Sequence, residues 1–449
     1  MKALVKEFNS SLDAFSIYTL FKDKDVIFLD SSLEDKNLSK YSFIGVNPFL
    51  KFKSYGEDIW VNHKKIKGDP FKELENIIKE YSIENKESHL PFIGGAIGYI
   101  SYDMGRNLET LPSSAKEDIK IPESYFLLYD NIIIFDHLNN KSYVSSMGIF
   151  EDKEISIEKI INRISNGKEV IYNEVKSRDK EFKSNFTKDE YMEGVETFRE
   201  YIRSGDIYIG NLTQRFSCTT DRDSYDIYKD LRKINPSPFG AYMELDDFHI
   251  ISSSPERFMS IRDGQVETRP IKGTRPRGRN KEEDEKNRLE LLNSEKDKSE
   301  LLMIVDLERN DLSKVCKNHS VKVTELFVIE EYSTVFHLVS TIKGELKSNV
   351  SSVNCIKECF PGGSITGAPK IRTMEVIEEV EGLRRNIYTG AIGYFDFRGN
   401  ADFNITIRTI LKKEDKAYFG VGGGITFESI KEDEYEETLH KAKALMRVL

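Results

Sequence analysis

Apolar and polar residues alternate through most of the first 145 positions, with turn residues between the runs, and this period of two predicts strands. Residues 132–135 and 143–144 flank the turn residues Asn139-Asn140-Lys141 as a hairpin would. Residues 91–99 are apolar and glycine-rich, the pattern of a buried strand. From 150 to 186 charge replaces the alternation, as in Lys176-Ser177-Arg178-Asp179-Lys180-Glu181, which predicts a solvated helix and connector. The period then becomes helical. Thr187 and Glu190 form a capping-box pattern, Tyr191, Val195, Phe198 and Ile202 share a face, and Gly205 suits the stop. Strands are predicted around 207–217, 239–244 and 248–253, and a charged helix over about 281–303. Strands follow at 390–397, 402–411 and 418–423, with Arg398-Gly399-Asn400 turning the first pair, before a last helix over about 431–447. Strands and helices without regular β-α-β alternation predict an α+β layered fold. The chain divides into a strand-rich part (1–150), a connector (151–186) and a second half (187–449).

The chain has 449 residues, 39% hydrophobic and 11% aromatic, which suits a sizeable globular core. Lys+Arg is 66 against Asp+Glu 76, a net charge of −10, which disfavours nonspecific binding to nucleic acid or anionic membrane. No apolar run has the length of a membrane span, and the start, Met1-Lys2-Ala3-Leu4-Val5-Lys6, lacks a signal-peptide core. Cys218, Cys316, Cys355 and Cys359 form no C-x-x-C pair, so neither a zinc site nor a disulfide framework is suggested. A soluble cytoplasmic protein with reduced thiols is the expectation.

Candidate chemistry starts at Arg269-Pro270-Ile271-Lys272-Gly273-Thr274-Arg275-Pro276-Arg277-Gly278. This is either a rigid basic surface turn or a lysine held amid cations that disfavour its protonation, hence a nucleophilic amine. Asp297 and Glu300, and again Glu434 and Glu437, are spaced i, i+3, with Lys441 four positions further on. Each pair lies on one helix face; together they are either salt-bridged solvated faces or an oxygen cage for Mg²⁺. The run from Phe360 to Lys370 has two glycines at P-loop spacing, but Ala368 and Pro369 stand where that motif needs Lys and Ser/Thr. Its amides and Thr366 suit a carboxylate instead. Arg408, on an alternating segment with Thr406, calls for a bidentate carboxylate, with Tyr388 and the bare backbone of Gly422, Gly423 and Gly424 as further donors. Glu256 follows Pro255 and is a candidate general acid, and His337 sits in an apolar run.

The ordered segments SGDIY, NLTQRF, SSPERF, TRPIKGTRPRG, MIVDLERNDL, FPGGSITGAPK, YTGAIGY, ITIRT, GGGI and YEETLHKA resemble component I of the chorismate-utilising anthranilate and aminodeoxychorismate synthases. The likeness is close over 185–449 and weaker over 10–145. It implies a layered α/β/β/α sandwich of two large, mostly antiparallel sheets. It implies chorismate as substrate and Mg²⁺ as cofactor, with Glu300 and Glu437 as direct ligands and Asp297 and Glu434 as outer carboxylates. Arg408, Tyr388, Gly422, Gly423, Gly424 and Lys441 correspond to substrate-carboxylate contacts. Gly273, Thr274, Thr366 and His337 correspond to the pocket wall, and Glu256 to the acid that helps the 4-hydroxyl leave. The anthranilate branch reads P-I-A-G-T; P-I-K-G-T, as here, resembles the aminodeoxychorismate branch, where this lysine (Lys272) attacks C2. Ammonia is then expected from a separate glutamine amidotransferase subunit. Ile209 stands where the family carries Gln, or Lys in its water-using members, so hydration of chorismate is disfavoured. Ser31, Leu38, Ser39, Lys40, Tyr41, Pro238, Phe239 and Gly240 resemble the lining of a tryptophan site. The alternatives to aminodeoxychorismate synthase component I are an anthranilate synthase component I and a non-catalytic subunit that binds an aromatic amino acid.

Overall fold

Two long strands organise the molecule because each is shared between sheets. A computed structural model describes residues 1–33, 38–85, 88–175, 180–332 and 335–449, so Lys176, Ser177, Arg178 and Asp179 of the charged connector lie outside the described residues. Tyr41–Tyr55 and Ser124–Asp136 run antiparallel along their lengths. Their outer edges change neighbours half-way. Gly95–Ile100 pairs with the first half of Ser124–Asp136, and Lys141–Ser146 with the second. Likewise Ile27–Asp30 takes the first half of Tyr41–Tyr55 and Asp58–Val61 the last. Asn47, at φ 57°, and a register shift between Pro48 and Leu50 mark the bend between the halves. Two sheets diverge from this shared pair.

The first sheet continues from Ile27–Asp30 through Phe239–Glu244, Phe248–Ser254, Thr409–Lys413 and Lys416–Ile425 to Ile209–Thr219. The second continues from Gly95–Ile100 through Ala391–Asp396, Ala401–Ile405, Arg257–Arg262 and Gln265–Thr268 to Val335–Glu345. That last strand also pairs with Ile271–Pro276 and Lys322–Glu331. Every one of these ladders is antiparallel, and strands from both ends of the chain build both sheets. The chain crosses from the first sheet to the second at Pro255-Glu256 and returns at Thr406-Ile407-Arg408. The crossings lie side by side: the Ile405 N–H donates to the Glu256 carbonyl at 3.0 Å and the Ser253 N–H to the Arg408 carbonyl at 3.1 Å.

Local signals hold where the pattern is local. Lys188–Ser204 carries both bonds of the capping box and stops at Gly205, φ 84°, which a side chain rarely adopts. Its buried Tyr191, Val195 and Phe198 join a small core with Leu212, Val376 and Ile377. The final helix is Lys431–Val448. Other expectations change. The charged helix over 281–303 is two helices, Lys281–Leu292 and Glu295–Val315, because the Ser294 side chain accepts the Asp297 N–H and starts a new one. The strand expected over 402–411 is broken at the crossing, where Arg408 has φ 52°, so the shared face of Thr406 and Arg408 does not exist. The helix Lys153–Ser165 buries Ile157, Ile160 and Ile164 rather than standing solvated. The Lys272 segment is a strand with a register shift at Gly273, φ 72°, rather than a surface turn. Among the described residues no helix is long and apolar enough to cross a membrane, and the four cysteines are free and buried.

Candidate active site

Helix Glu295–Val315 buries Glu300, Ile304, Glu308 and Leu312, and helix Lys431–Val448 buries Glu434, Thr438 and Ala442. Helix Lys431–Val448 packs on the strand Lys416–Ile425, and Glu300 reaches the same strand's glycines from helix Glu295–Val315, which packs on Ile271–Pro276 and Val335–Glu345. A methyl on Gly423 would stand 3.2 Å from Glu434 Oε2 and 3.6 Å from Glu437 Oε1. One on Gly424 would stand 3.5 Å from Glu300 Oε2 and 3.8 Å from Lys272 Nζ. Bare backbone therefore lets three carboxylates from two helices, and the lysine amine, gather in one place. Lys296 Nζ lies 3.5 Å from Glu434 Oε1 and 4.0 Å from Glu300 Oε1. Lys441 Nζ pairs with Glu437 at 2.5 Å and donates to the Gly422 carbonyl at 2.8 Å. Asp297 turns to Arg275 at 3.2 Å and packs against Gly273.

Burial pushes the Glu300 carboxyl up to about 7 against the opposing pull of Lys272 and Lys296. Burial also raises Glu434. Burial works the same way on Glu437, but Lys441, followed by Lys296 and Lys272, outweighs it and holds that carboxyl below its usual range. Carboxylates this close in a low dielectric ionise together only beside a cation. Among the described residues no three acidic, histidine or cysteine side chains stand close enough to hold an ion as they are, and the Lys296 ammonium occupies the space between Glu300 and Glu434. The donors are all oxygens of few residues, the chemistry that hard cations such as Mg²⁺ take, and the Lys296 ammonium stands among them.

Lys272 Nζ donates to the Ser364 carbonyl at 2.9 Å. The arginines that flank it in sequence are engaged elsewhere: Arg269 with Glu330, Arg275 with Glu290 and Asp297, Arg277 with Asp284. The cationic crowding expected from the sequence is thus absent, because carboxylates neutralise those arginines and Glu256, Glu300 and Glu437 are the groups whose charges Lys272 offsets. Glu256 is buried at the crossing and accepts the Ile271 N–H at 3.4 Å. Burial raises its pKa, with Lys272 opposing. The Ser364 hydroxyl lies beside it yet meets no partner in hydrogen-bonding geometry.

The pocket wall assembles around these groups. Thr274 Oγ1 meets His337 Nδ1 at 2.9 Å, and burial pushes the His337 imidazole down to about 4, so it is neutral. The Thr366 hydroxyl donates to the Gly362 carbonyl at 2.9 Å, and the Thr366 carbonyl accepts the Asn211 N–H at 2.8 Å. The Tyr388 ring fills the space above Gly420, where a methyl would stand 2.3 Å from it. Arg408 donates to the Lys441 carbonyl at 2.8 Å and makes no salt bridge among the described residues. The carboxylate partner expected for it is not found among the described residues, and with the guanidinium at the crossing its remaining donors suit an incoming carboxylate. Ile209 Cδ1 lies 3.5 Å from the methyl position of Gly424, an apolar side chain beside Glu300 and Lys272.

Several functional neighbours escaped the sequence reading. Lys296 was visible only as an i, i+4 partner of Glu300. The pair Glu381–Arg385, also i, i+4, is almost wholly buried at 2.6 Å. Arg385 donates to the carbonyls of Ile365 at 2.8 Å and Asn211 at 2.6 Å, and Glu381 accepts the Thr213 N–H at 2.9 Å. This pair fixes the loop bearing Ser364 and Thr366 to the strand bearing Ile209.

A separate cavity of about 820 Å³ lies between the two sheets. Ser31, Leu38, Lys40, Tyr41, Pro238, Phe239 and Gly240 line one side, and Arg257, Tyr394, Asp402 and Asn404 the other. Ser39 is buried with an unpartnered hydroxyl but does not line it. Arg257, next to Glu256, is held in a fork by Asp402, both contacts 3.0 Å.

A family model described as chorismate binding enzyme matches residues 25–447. The aminodeoxychorismate synthase component 1 of Bacillus subtilis is 39% identical over 426 residues, 93% of this chain and 91% of the relative. The anthranilate synthase component 1 of Acetivibrio thermocellus is 37% identical over 455 residues, 97% and 92% of the two chains. In structure, anthranilate synthase component I from Streptococcus pneumoniae superposes with TM-score 0.82 at 32% identity, covering 97% of this chain and 98% of that one.

Proposed function

We propose, for a chain that belongs to the family of chorismate binding enzymes, the activity of aminodeoxychorismate synthase component I: chorismate and ammonia give 4-amino-4-deoxychorismate and water. The observation that carries this reading is the Lys272 amine, held by the Ser364 carbonyl at 2.9 Å and facing the carboxylate cluster and Glu256. Arg408, with donors to spare, and Lys441 suit the substrate's carboxylates. Mg²⁺, held by Glu300 and Glu437 with Asp297 and Glu434 behind them, would neutralise the ring carboxylate. The Lys272 amine attacks C2, the ring double bond shifts, and the C4–O bond breaks as Glu256 gives its proton to the departing hydroxyl, which leaves as water. Ammonia then attacks C4, the double bond shifts back, the C2–N bond breaks to release the lysine amine with its electron pair, and the new C4 ammonium returns a proton to Glu256. A neutral His337 at the wall supplies no competing acid. Ammonia would come from a glutamine amidotransferase subunit in a soluble complex.

A second reading, anthranilate synthase component I, is favoured by the relatives of that name at similar identity. One assay separates the two. With chorismate, Mg²⁺ and ammonium, the proposal expects a non-aromatic amine that retains its pyruvyl group, and a mass-shifted adduct on Lys272 peptides. Anthranilate with free pyruvate overturns it. The cavity between the sheets has the size and lining to take an aromatic amino acid such as tryptophan; calorimetry with tryptophan, and inhibition of turnover, test that part.

A further inference from the structure

Helix Glu295–Val315 buries a second carboxyl that the reaction above does not use. Glu308 lies two turns from Glu300 on the same face. Its Oε2 is 2.9 Å from Thr268 Oγ1, and Thr268 Oγ1 is 2.8 Å from the Phe258 carbonyl oxygen. A hydroxyl has one proton to give. A carbonyl can only accept, so the Thr268 proton goes to Phe258. Phe258 needs that donor: it stands at the register shift between Arg257 and Met259, where the ladder with Ala401–Ile405 is irregular. The contact between Thr268 and Glu308 is then left without a hydrogen unless the carboxyl supplies it.

The charged groups around Glu308 agree. Lys370, at the start of helix Lys370–Glu381, is committed to Asp311 at 2.5 Å and to the carbonyls of Cys359 and Pro361 at 2.8 and 2.7 Å. Asp311, on the same helix, and Glu256, from the crossing, are negative neighbours. Glu308 itself has no salt bridge among the described residues, and the backbone of Gly363 closes over it, a methyl there standing 3.5 Å from its Cγ.

We propose that Glu308 is a positioning residue, a neutral carboxylic acid that donates to the Thr268 hydroxyl, which in turn holds the Phe258 carbonyl. The relay ties two chain segments to the helix that bears Glu300. Glu256 is two residues before Phe258, and Lys272 is four after Thr268. Burial independently pushes the Glu308 carboxyl up to about 8. Ionisation reverses the relay: the Thr268 proton turns to the carboxylate and Phe258 loses its donor.

The role for turnover rests on the proposed reaction, whereas the protonation does not. Infrared difference spectra of the whole protein at pH 7 should contain a protonated-carboxyl band that E308Q lacks. E308Q, whose amide donates at every pH, should keep turnover within about threefold, while E308L and T268V should lose about tenfold, the size of one hydrogen bond. An alkaline fall in turnover near pH 8 should vanish in E308Q. Glu308 holds a proton that the unfolded chain releases above about pH 4.3, so wild-type stability falls with rising pH and the Tm of E308Q relative to wild type should climb from pH 5 to 8. Absence of the band, a flat Tm difference, or E308Q as impaired as E308L overturns the proposal. Wild type that makes no amine from chorismate overturns the reaction alone, since the band and the Tm series are read without substrate.

Discussion

Replacing Glu256 by Gln isolates the proton in the proposed reaction. The amide has nearly the same shape, keeps an oxygen for the Ile271 N–H at 3.4 Å, and cannot protonate a leaving hydroxyl. Glu256 is 6% exposed, Glu308 lies behind Thr268, and Glu300 in the proposed reaction would hold the cation, so neither replaces it. General acid catalysis contributes about 10²–10⁴-fold, so kcat should drop by that factor, about 3–5 kcal/mol of barrier. KM should stay within about threefold, because Arg408 and Lys441 hold the carboxylates unchanged. Stability should move the other way. The folded-state pKa of Glu256 is raised by burial, so its native carboxyl keeps a proton that the unfolded chain gives up above about pH 4.3, and wild type loses stability as pH rises. E256Q escapes that loss and should melt at or above wild type at pH 8. Steady-state kinetics across pH 6–9 with calorimetric melting decide the matter. An E256Q enzyme within tenfold of wild type in kcat, or one that loses KM rather than kcat, refutes Glu256 as the acid.

Three further outcomes are expected. Below pH 7 an incoming ion must displace a proton from Glu300, whose carboxyl is pushed up to about 7, so Mg²⁺ affinity should fall with acid by up to about tenfold per pH unit, with proton release visible in calorimetry in buffers of different ionisation enthalpy. Arg408→Lys keeps charge but loses the planar fork, and should weaken chorismate binding by about 1.5–3 kcal/mol, read as KM. Arg385→Met strands the Glu381 carboxylate in the interior and should destabilise by about 3–5 kcal/mol in urea unfolding, while Mg²⁺ stoichiometry stays the same.

Segments governed by neighbours in sequence were legible. The capping box and Gly205 define Lys188–Ser204 from within, and the i, i+3 carboxylates announced one face each. Convergence of those faces was not readable, because it depends on two helices more than 100 residues apart, packed on different sheets, meeting at the glycines of Lys416–Ile425. The crossing at Arg408 was misread as strand because alternation persists through a segment whose φ reverses at one residue. Glu308 falls beyond the charged helix expected over 281–303 and carried no reading from sequence; only the third dimension buries it. The flanking arginines of Lys272 misled for the converse reason, since their partners, Glu330, Glu290 and Asp284, come from elements the motif does not contain.

The two crossings work as the rivet of a pair of scissors. The sheets are the blades, and Glu256 and Arg408 are the pin, bound to each other's strands through Ile405 and Ser253. At a rivet, opening the blades gives rotation with little travel. A molecule wedged into the cavity of about 820 Å³, which takes its walls from both blades, would turn the acid and the guanidinium relative to each other. Glu300, whose helix packs on the second sheet, and Glu434 and Glu437, whose helix packs on the first, would turn apart with the blades. Occupancy of the cavity should therefore depress turnover and Mg²⁺ affinity together: a brake that loosens grip as it spoils aim.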